Sequence, residues 1–185
     1  MANYSTCVAE FKLVKSGSIV YPPKKVVEMI LKTSADEGWQ NDDGSFTLAG
    51  RWTYDHNLTY DEMLDICHWL REYNYAGMIV DFIEYEEGEG FCSIGKATYS
   101  LSDIGETDIT VSTSSWFIDD FCEKFLDVDY PDDEDFEDED GDLDYDALQE
   151  AKDHMYEVMF DHLEIEMLKK GYNAFDEVKT HNYAI

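Results

Sequence analysis

The chain has 185 residues and a mass of 21.4 kDa, enough for one domain with a substantial core and too short for a large multidomain enzyme. Hydrophobic residues make up 44% and aromatic residues 15%, more than disordered chains carry, so most of the chain should fold. Against that, 43 Asp and Glu face 13 Lys and Arg, for a formal net charge of -30 and a pI near 4.1, which excludes an ordinary basic nucleic-acid binder and attraction to an anionic membrane.

From the N-terminus, residues 6–14 and 18–21 read as a first hairpin or bent strand. Pro22 and Pro23 then open a helix through about residue 35, with Val26, Val27, Ile30 and Leu31 as its apolar stripe. Asn41-Asp42-Asp43-Gly44 is turn chemistry, and Phe46, Leu48, Gly50, Trp52 and Tyr54 alternate with smaller or polar residues as a half-buried strand does. Thr59 with Glu62 makes a capping box for a second helix whose inner face is Met63, Ile66, Cys67 and Leu70, stopped by Asn74 and Gly77. Between residues 78 and 113 the period falls to two, with breaks at Gly88-Glu89-Gly90 and near Gly105, predicting a three-stranded antiparallel meander. Ser114 or Ser115 is the expected cap of a third helix holding Trp116, Phe117, Phe121 and Phe125.

The following segment is dominated by acids: 13 of residues 127–146 are Asp or Glu, and no Lys or Arg stands between Lys124 and Lys152. Pro131 and Gly141 break it and only Tyr130, Phe136 and Leu143 offer packing, which predicts an exposed loop of limited structure. A last helix runs from about Tyr145 to Lys170 and ends at Gly171, with Leu148, Ala151, Met155, Val158, His162 and Ile165, reinforced by Met159, as the buried stripe. The expected class is therefore α+β, an antiparallel sheet of four to six strands packed with three to four helices. Residues 1–127 would form the core, 128–142 an acidic loop, and 143–185 a C-terminal acidic helix and tail packed on that core, as one domain.

Cys7, Cys67, Cys92 and Cys122 form no CxxC pair, and the first residues lack the basic-then-apolar layout of a secretory signal. No apolar run approaches the roughly 20 residues that cross a bilayer. Together these predict reduced, buried thiols in a cytoplasmic protein, and the charge predicts that it contacts neither membrane nor nucleic acid directly.

Charge is unevenly placed. Residues 1–32 carry five lysines and two acids, so the rest of the chain holds a net charge of -33. Lys24 and Lys25 oppose the dipole in the first turn of their helix and are read either as ordinary surface lysines or as pairing with acids elsewhere in the fold or across an oligomer interface such as a homodimer's. On the last helix Asp146, Glu150, Asp153, Glu157, Asp161 and Glu164 recur at spacings of four, three, four, four and three, stacking six acids in a line about 27 Å long. An ordinary solvated helix face mixes signs, because like charges at these spacings destabilise by roughly 0.2–0.5 kcal/mol a pair. Five such steps cost about 1–2.5 kcal/mol at low salt, noticeable against a total of roughly 5–15 kcal/mol.

Catalytic and metal motifs are weak. Aligning Gly141 with the glycine of a calcium loop places Asp138 and Asp140 at ligand positions but puts Phe136 first and Ala147 last, where carboxylates are required. His154 and His162 lie eight apart with no HExxH, and Cys67 and His68, adjacent on a helix, point about 100° apart. Glu10-Phe11-Lys12 and Glu177-Val178-Lys179 are short E-x-K fragments of a metal-dependent nuclease type, and no GxSxG or P-loop pattern occurs. No catalytic residue, metal or cofactor is assigned.

In size, acidity, aromatic richness and lack of a catalytic signature, the chain resembles the DNA-mimic inhibitors that phages and mobile elements direct against restriction enzymes or CRISPR effectors. The resemblance lies in composition and charge layout, and no residue is carried over from a family motif. It implies an inhibitor that works in the cytoplasm of a bacterial host and occupies the basic nucleic-acid channel of a defence nuclease there. The expected contacts are Asp132, Asp133, Glu134, Asp135, Glu137, Asp138, Glu139, Asp140 and Asp142, with Asp146, Glu150, Asp153, Glu157, Asp161 and Glu164 of the stripe. Tyr130, Phe136 or Tyr145 would add apolar anchors. The alternatives are an immunity protein or antitoxin that blankets a basic nuclease toxin by the same electrostatics, and a metal-dependent enzyme.

Overall fold

Alternation between polar and apolar residues dominates the chain, and the structure, a computed structural model, turns it into one sheet. Residues 5–17, 28, 37–50, 60–88, 90–101, 106–138, 141–171 and 174–184 are described. In chain order the elements are β1 (Ser5–Lys15), β2 (Glu37–Gln40), β3 (Phe46–Gly50), α1 (Tyr60–Glu72), β4 (Tyr75–Glu86), β5 (Phe91–Leu101), β6 (Glu106–Phe117), α2 (Ile118–Phe121), α3 (Tyr145–Lys169) and β7 (Glu177–Ala184). The strands pair antiparallel throughout in the order β2-β3-β1-β4-β5-β6-β7. The class is α+β, with seven strands where four to six were expected.

Because successive strand residues point to opposite faces, each strand serves two cores. On one face Cys7, Ala9, Phe11, Phe46, Leu48, Met78, Val80, Phe82, Ala97, Tyr99 and Ile109 pack under Ile66, Cys67 and Leu70 of α1. On the other, and toward the opposite ends of β4 and β5, Tyr85, Cys92 and Ile94 pack under Ile118, Phe121, Cys122, Met159, Leu163 and Phe175. The two helices thus cover diagonally opposed quarters of the sheet. Gly95 lets this happen in β5: a Cβ there would overlap the Phe82 ring lying across it.

The turn at 41–44 forms as its sequence requires. The Asn41 and Gly44 amides donate to Ser45 O and Asn41 O, and Asp43 accepts from both the amide and hydroxyl of Ser45. α1 buries Ile66, Cys67 and Leu70 as expected, and Arg71 anchors its end by donating to the Glu106 carbonyl at 2.9 Å. The strand expected at 18–21, the helix expected over 22–35 apart from Glu28, residues 52–54 of the third strand and the Thr59 cap lie outside the described residues.

Three expectations change. Ser114 and Ser115 do not cap a helix: β6 runs on to Phe117, paired opposite Phe91, and α2 starts at Ile118 with no side-chain cap before a π turn over Cys122–Leu126. The alternation of β6 persists through Trp116, so the ladder prevails over local capping chemistry. The acidic segment is exposed where described, as expected, and its limited structure is a 3₁₀ turn over Asp133–Phe136 and a bridge between Glu137 and Leu143. The tail is the edge strand β7, whose pairing with β6 supplies what its short sequence alone does not.

Third, α3 is rotated about its axis. Its buried residues are Leu148, Met159 and Leu163, whereas Ile165 is exposed and Val158 and His162 only half-buried. At 100° per residue the inner face lies roughly a fifth of a turn from the expected stripe. The aromatic layer sets it: Tyr156 stands edge-on to Tyr85, with ring centroids 3.8 Å apart, and Phe160 also packs against this core.

Candidate partner-binding surface

α3 begins where Asp144 caps it, its carboxylate accepting from the Ala147 amide at 3.1 Å, and Asp146 follows in the first turn with favourable sign for the helix dipole. Its inner face is held to the sheet by phenols as well as by packing. Tyr85 and Tyr130 share a 2.6 Å hydrogen bond between hydroxyls, and the Tyr156 hydroxyl donates to Glu87 at 3.5 Å. Burial pushes the Tyr130 phenol up to about 12 and raises those of Tyr85 and Tyr156. These three rings join β4, the acidic segment and α3 into one unit.

With the inner face so fixed, Asp146, Glu150, Asp153, Glu157, Asp161 and Glu164 are all exposed, centred about 150° around the axis from the buried residues. The helix does contain lysines, but they are committed elsewhere. Lys152 reaches Glu87 at 3.5 Å and Asp133 at 3.8 Å, and Lys169 pairs with Glu166 at 2.8 Å. Lys170, just past the helix, bonds the Ser114 hydroxyl at 2.8 Å and Asp176 at 3.3 Å, lying 5.5 Å from the Trp116 ring centroid. That contact, led by the hydrogen bond from Ser114, holds the Asp176 carboxyl below its usual range. Among the described residues no Lys or Arg is in ion-pair distance of any of the six stripe acids.

The acidic segment leading into α3 is built from its own carboxylates. Asp132 accepts from the Glu134 amide at 2.8 Å and opens the 3₁₀ turn; Asp138 accepts from the Asp142 amide at 3.0 Å and closes the turn before Leu143. Asp132, Asp133, Glu134, Asp135, Glu137, Asp138 and Asp142 are exposed, while Glu139 and Asp140 lie outside the described residues. The described side chains among those singled out from sequence therefore all lie at the surface, between residues 132 and 164. Of the anchors, Tyr145 is 73% exposed, whereas Tyr130 and Phe136 are half-buried and Tyr130 is engaged by Tyr85. Asp119, Asp120, Glu123, Asp127 and Asp129 add further exposed acids that the sequence reading did not single out, though their density on either side of α2 is visible in the chain.

The other chemistries have distinct surroundings. Cys67 is buried and its thiol pushed up to about 11 by desolvation, while His68 beside it faces outward, so the two do not form a nucleophile and base. Cys92 and Cys122 are likewise buried, with thiols raised by burial to about 12 and about 11. Glu10 pairs with Lys12 at 2.9 Å, and Glu177 with Lys179 at 3.2 Å, each within its own E-x-K fragment. Among the described residues no three His, Cys, Asp or Glu side chains converge as a bound metal needs, and no helix is long and apolar enough to cross a membrane.

No family model, curated protein or solved structure matches the chain.

Proposed function

We propose that this protein is a stoichiometric inhibitor that imitates the charge of nucleic acid and occupies the basic nucleic-acid channel of a bacterial defence nuclease, such as a CRISPR effector or a restriction enzyme. One observation carries the reading: six carboxylates in a line on a rigid helix, all exposed, with every lysine of that helix turned to other partners. A surface adapted only for solubility gains from interspersed signs, and this one forgoes that gain. Duplex DNA presents about one negative charge per 1.7 Å of axis, and a channel lined with Lys and Arg to hold it is also attracted to a rigid anionic rod. Long-range attraction speeds encounter more than it tightens binding, so exposed Tyr145 at the start of α3 serves as the apolar anchor.

The test is competition between this protein and duplex DNA for the target nuclease. The protein should displace a duplex oligonucleotide stoichiometrically, with potency falling steeply as salt rises. Reversal of Asp146, Glu150, Asp153, Glu157, Asp161 and Glu164 to Lys should leave the fold intact and abolish displacement. Retained potency of that variant at about 0.15 M salt removes the stripe from the mechanism.

A further inference from the structure

β6 passes from one environment into another along its length. On the face shared with α1, Ile109 belongs to the core and Val111 packs against it, and the next residues of that face are Thr113, Ser115 and Phe117. None of these three is buried: Thr113 is half-buried, Ser115 is exposed, and Phe117 is 68% exposed. Register supplies their neighbours. Phe91 stands opposite Phe117, the row Glu84–Ser93–Ser115 runs across three strands, and Glu177 and Lys179 of β7 stand opposite Thr113 and Val111. All of them line a cavity of about 320 Å³, a size within the range of small-ligand sites.

The charged groups of this lining are already engaged. Glu177 and Lys179 pair with each other at 3.2 Å, and the buried Glu84 carboxylate accepts from the Ser93 hydroxyl at 3.1 Å as part of the protein's own bonding. The Thr113 and Ser115 hydroxyls, by contrast, hydrogen-bond no described residue. Each can both donate and accept, and two residues apart on one strand face they stand about 7 Å from one another. Beside them the lining is apolar, with Val111, Phe91 and Phe117. A ring laid against Phe91 and Phe117 gives the Phe117 side chain the burial it lacks within the chain. The charge of the ligand follows by elimination. A net charge of -30 repels an anion, and a cation is drawn to the unpaired carboxylates of α3 before groups that already have partners.

We infer that this cavity binds a small uncharged aromatic compound carrying a hydroxyl or another hydrogen-bonding group, its ring against Phe91 and Phe117 and its polar group between the Thr113 and Ser115 hydroxyls. The cavity is on the sheet face opposite α3, so it does not depend on the inhibitor reading.

The probe is 2-phenylethanol, titrated into the full chain at about 0.15 M salt and followed through backbone amide resonances, with 2-phenylethylammonium and phenylacetate as its charged counterparts. Saturable shifts should appear at Ser93, Thr113, Ser115 and Phe117, and the alcohol should bind there at least about threefold more tightly than either ion. Phe117→Ala, at an exposed position, should weaken the alcohol by roughly three- to tenfold. Thr113→Val, which removes one hydroxyl at nearly constant volume, should weaken it by about threefold. Tighter binding of the ammonium at these resonances, no saturation within the solubility of the alcohol, or unchanged affinity in either variant would each overturn the site.

Discussion

α1 and α3 lie on opposite faces of one sheet and solve different problems. α1 places Ile66, Cys67 and Leu70 into the core within little more than one turn and is short, so its apolar pattern and its buried face coincide. α3 is 25 residues long yet buries only Leu148, Met159 and Leu163, leaving Ile165 and Leu168 exposed beside its carboxylates. Its position is secured by a few phenols and lysines as well as by packing. The contrast is between a helix held by one compact apolar stripe and a helix whose outward face carries a single sign of charge.

The largest effect that would sharpen this contrast is on stability. Leu70→Ala in α1 and Leu163→Ala in α3 should each cost about 2–5 kcal/mol, while Ile165→Ala, on the stripe expected from sequence, should stay within about 0.5 kcal/mol in denaturant titration. Equal losses at Leu163 and Ile165 would break the rotation of α3 described above. Next is the combined change Glu150→Lys, Glu157→Lys and Glu164→Lys, which makes all five neighbouring pairs of the line opposite in sign. It should raise stability by about 2 kcal/mol at low salt while reducing competition with DNA, a gain and a loss in one molecule. A stability gain with inhibition intact would mark the line as mere surface.

The smallest effect concerns the phenols. The Tyr130 phenol rises from an ordinary value of 10.0 to about 12 on folding, so the unfolded chain loses its proton first as pH rises. Its contribution to stability is therefore complete below pH 10 and declines between the two values. Tyr130→Phe should cost about 1 kcal/mol at neutral pH and flatten the alkaline decline seen in thermal unfolding.

What could be read from the sequence followed the strength of each pattern. The meander of β4, β5 and β6 and the helix α1 were legible because one period ran through each without competition. The start of α2 was not, because Ser114 and Ser115 offer helix-capping chemistry at positions where the β6 alternation continues to Phe117. The inner face of α3 is legible in part, Leu148 and Met159 being buried as expected and Leu163 not foreseen, because apolar residues occur around much of that helix and contact with Tyr85 selects among them. The six outward acids were legible because their spacing is helical and their sign uniform. Glu84, Ser93 and Ser115 could not be grouped in advance: they lie on three different strands, and register alone brings them into a row.

The adjacency of β6 and β7 has a consequence for how this protein can change. Thr113 stands opposite Glu177, so everything from α2 through α3 leaves the sheet and returns to it almost where it departed. Topologically the anionic half is an outsized hairpin connection, and its outward residues can be rewritten without disturbing a single rung of the ladder beneath.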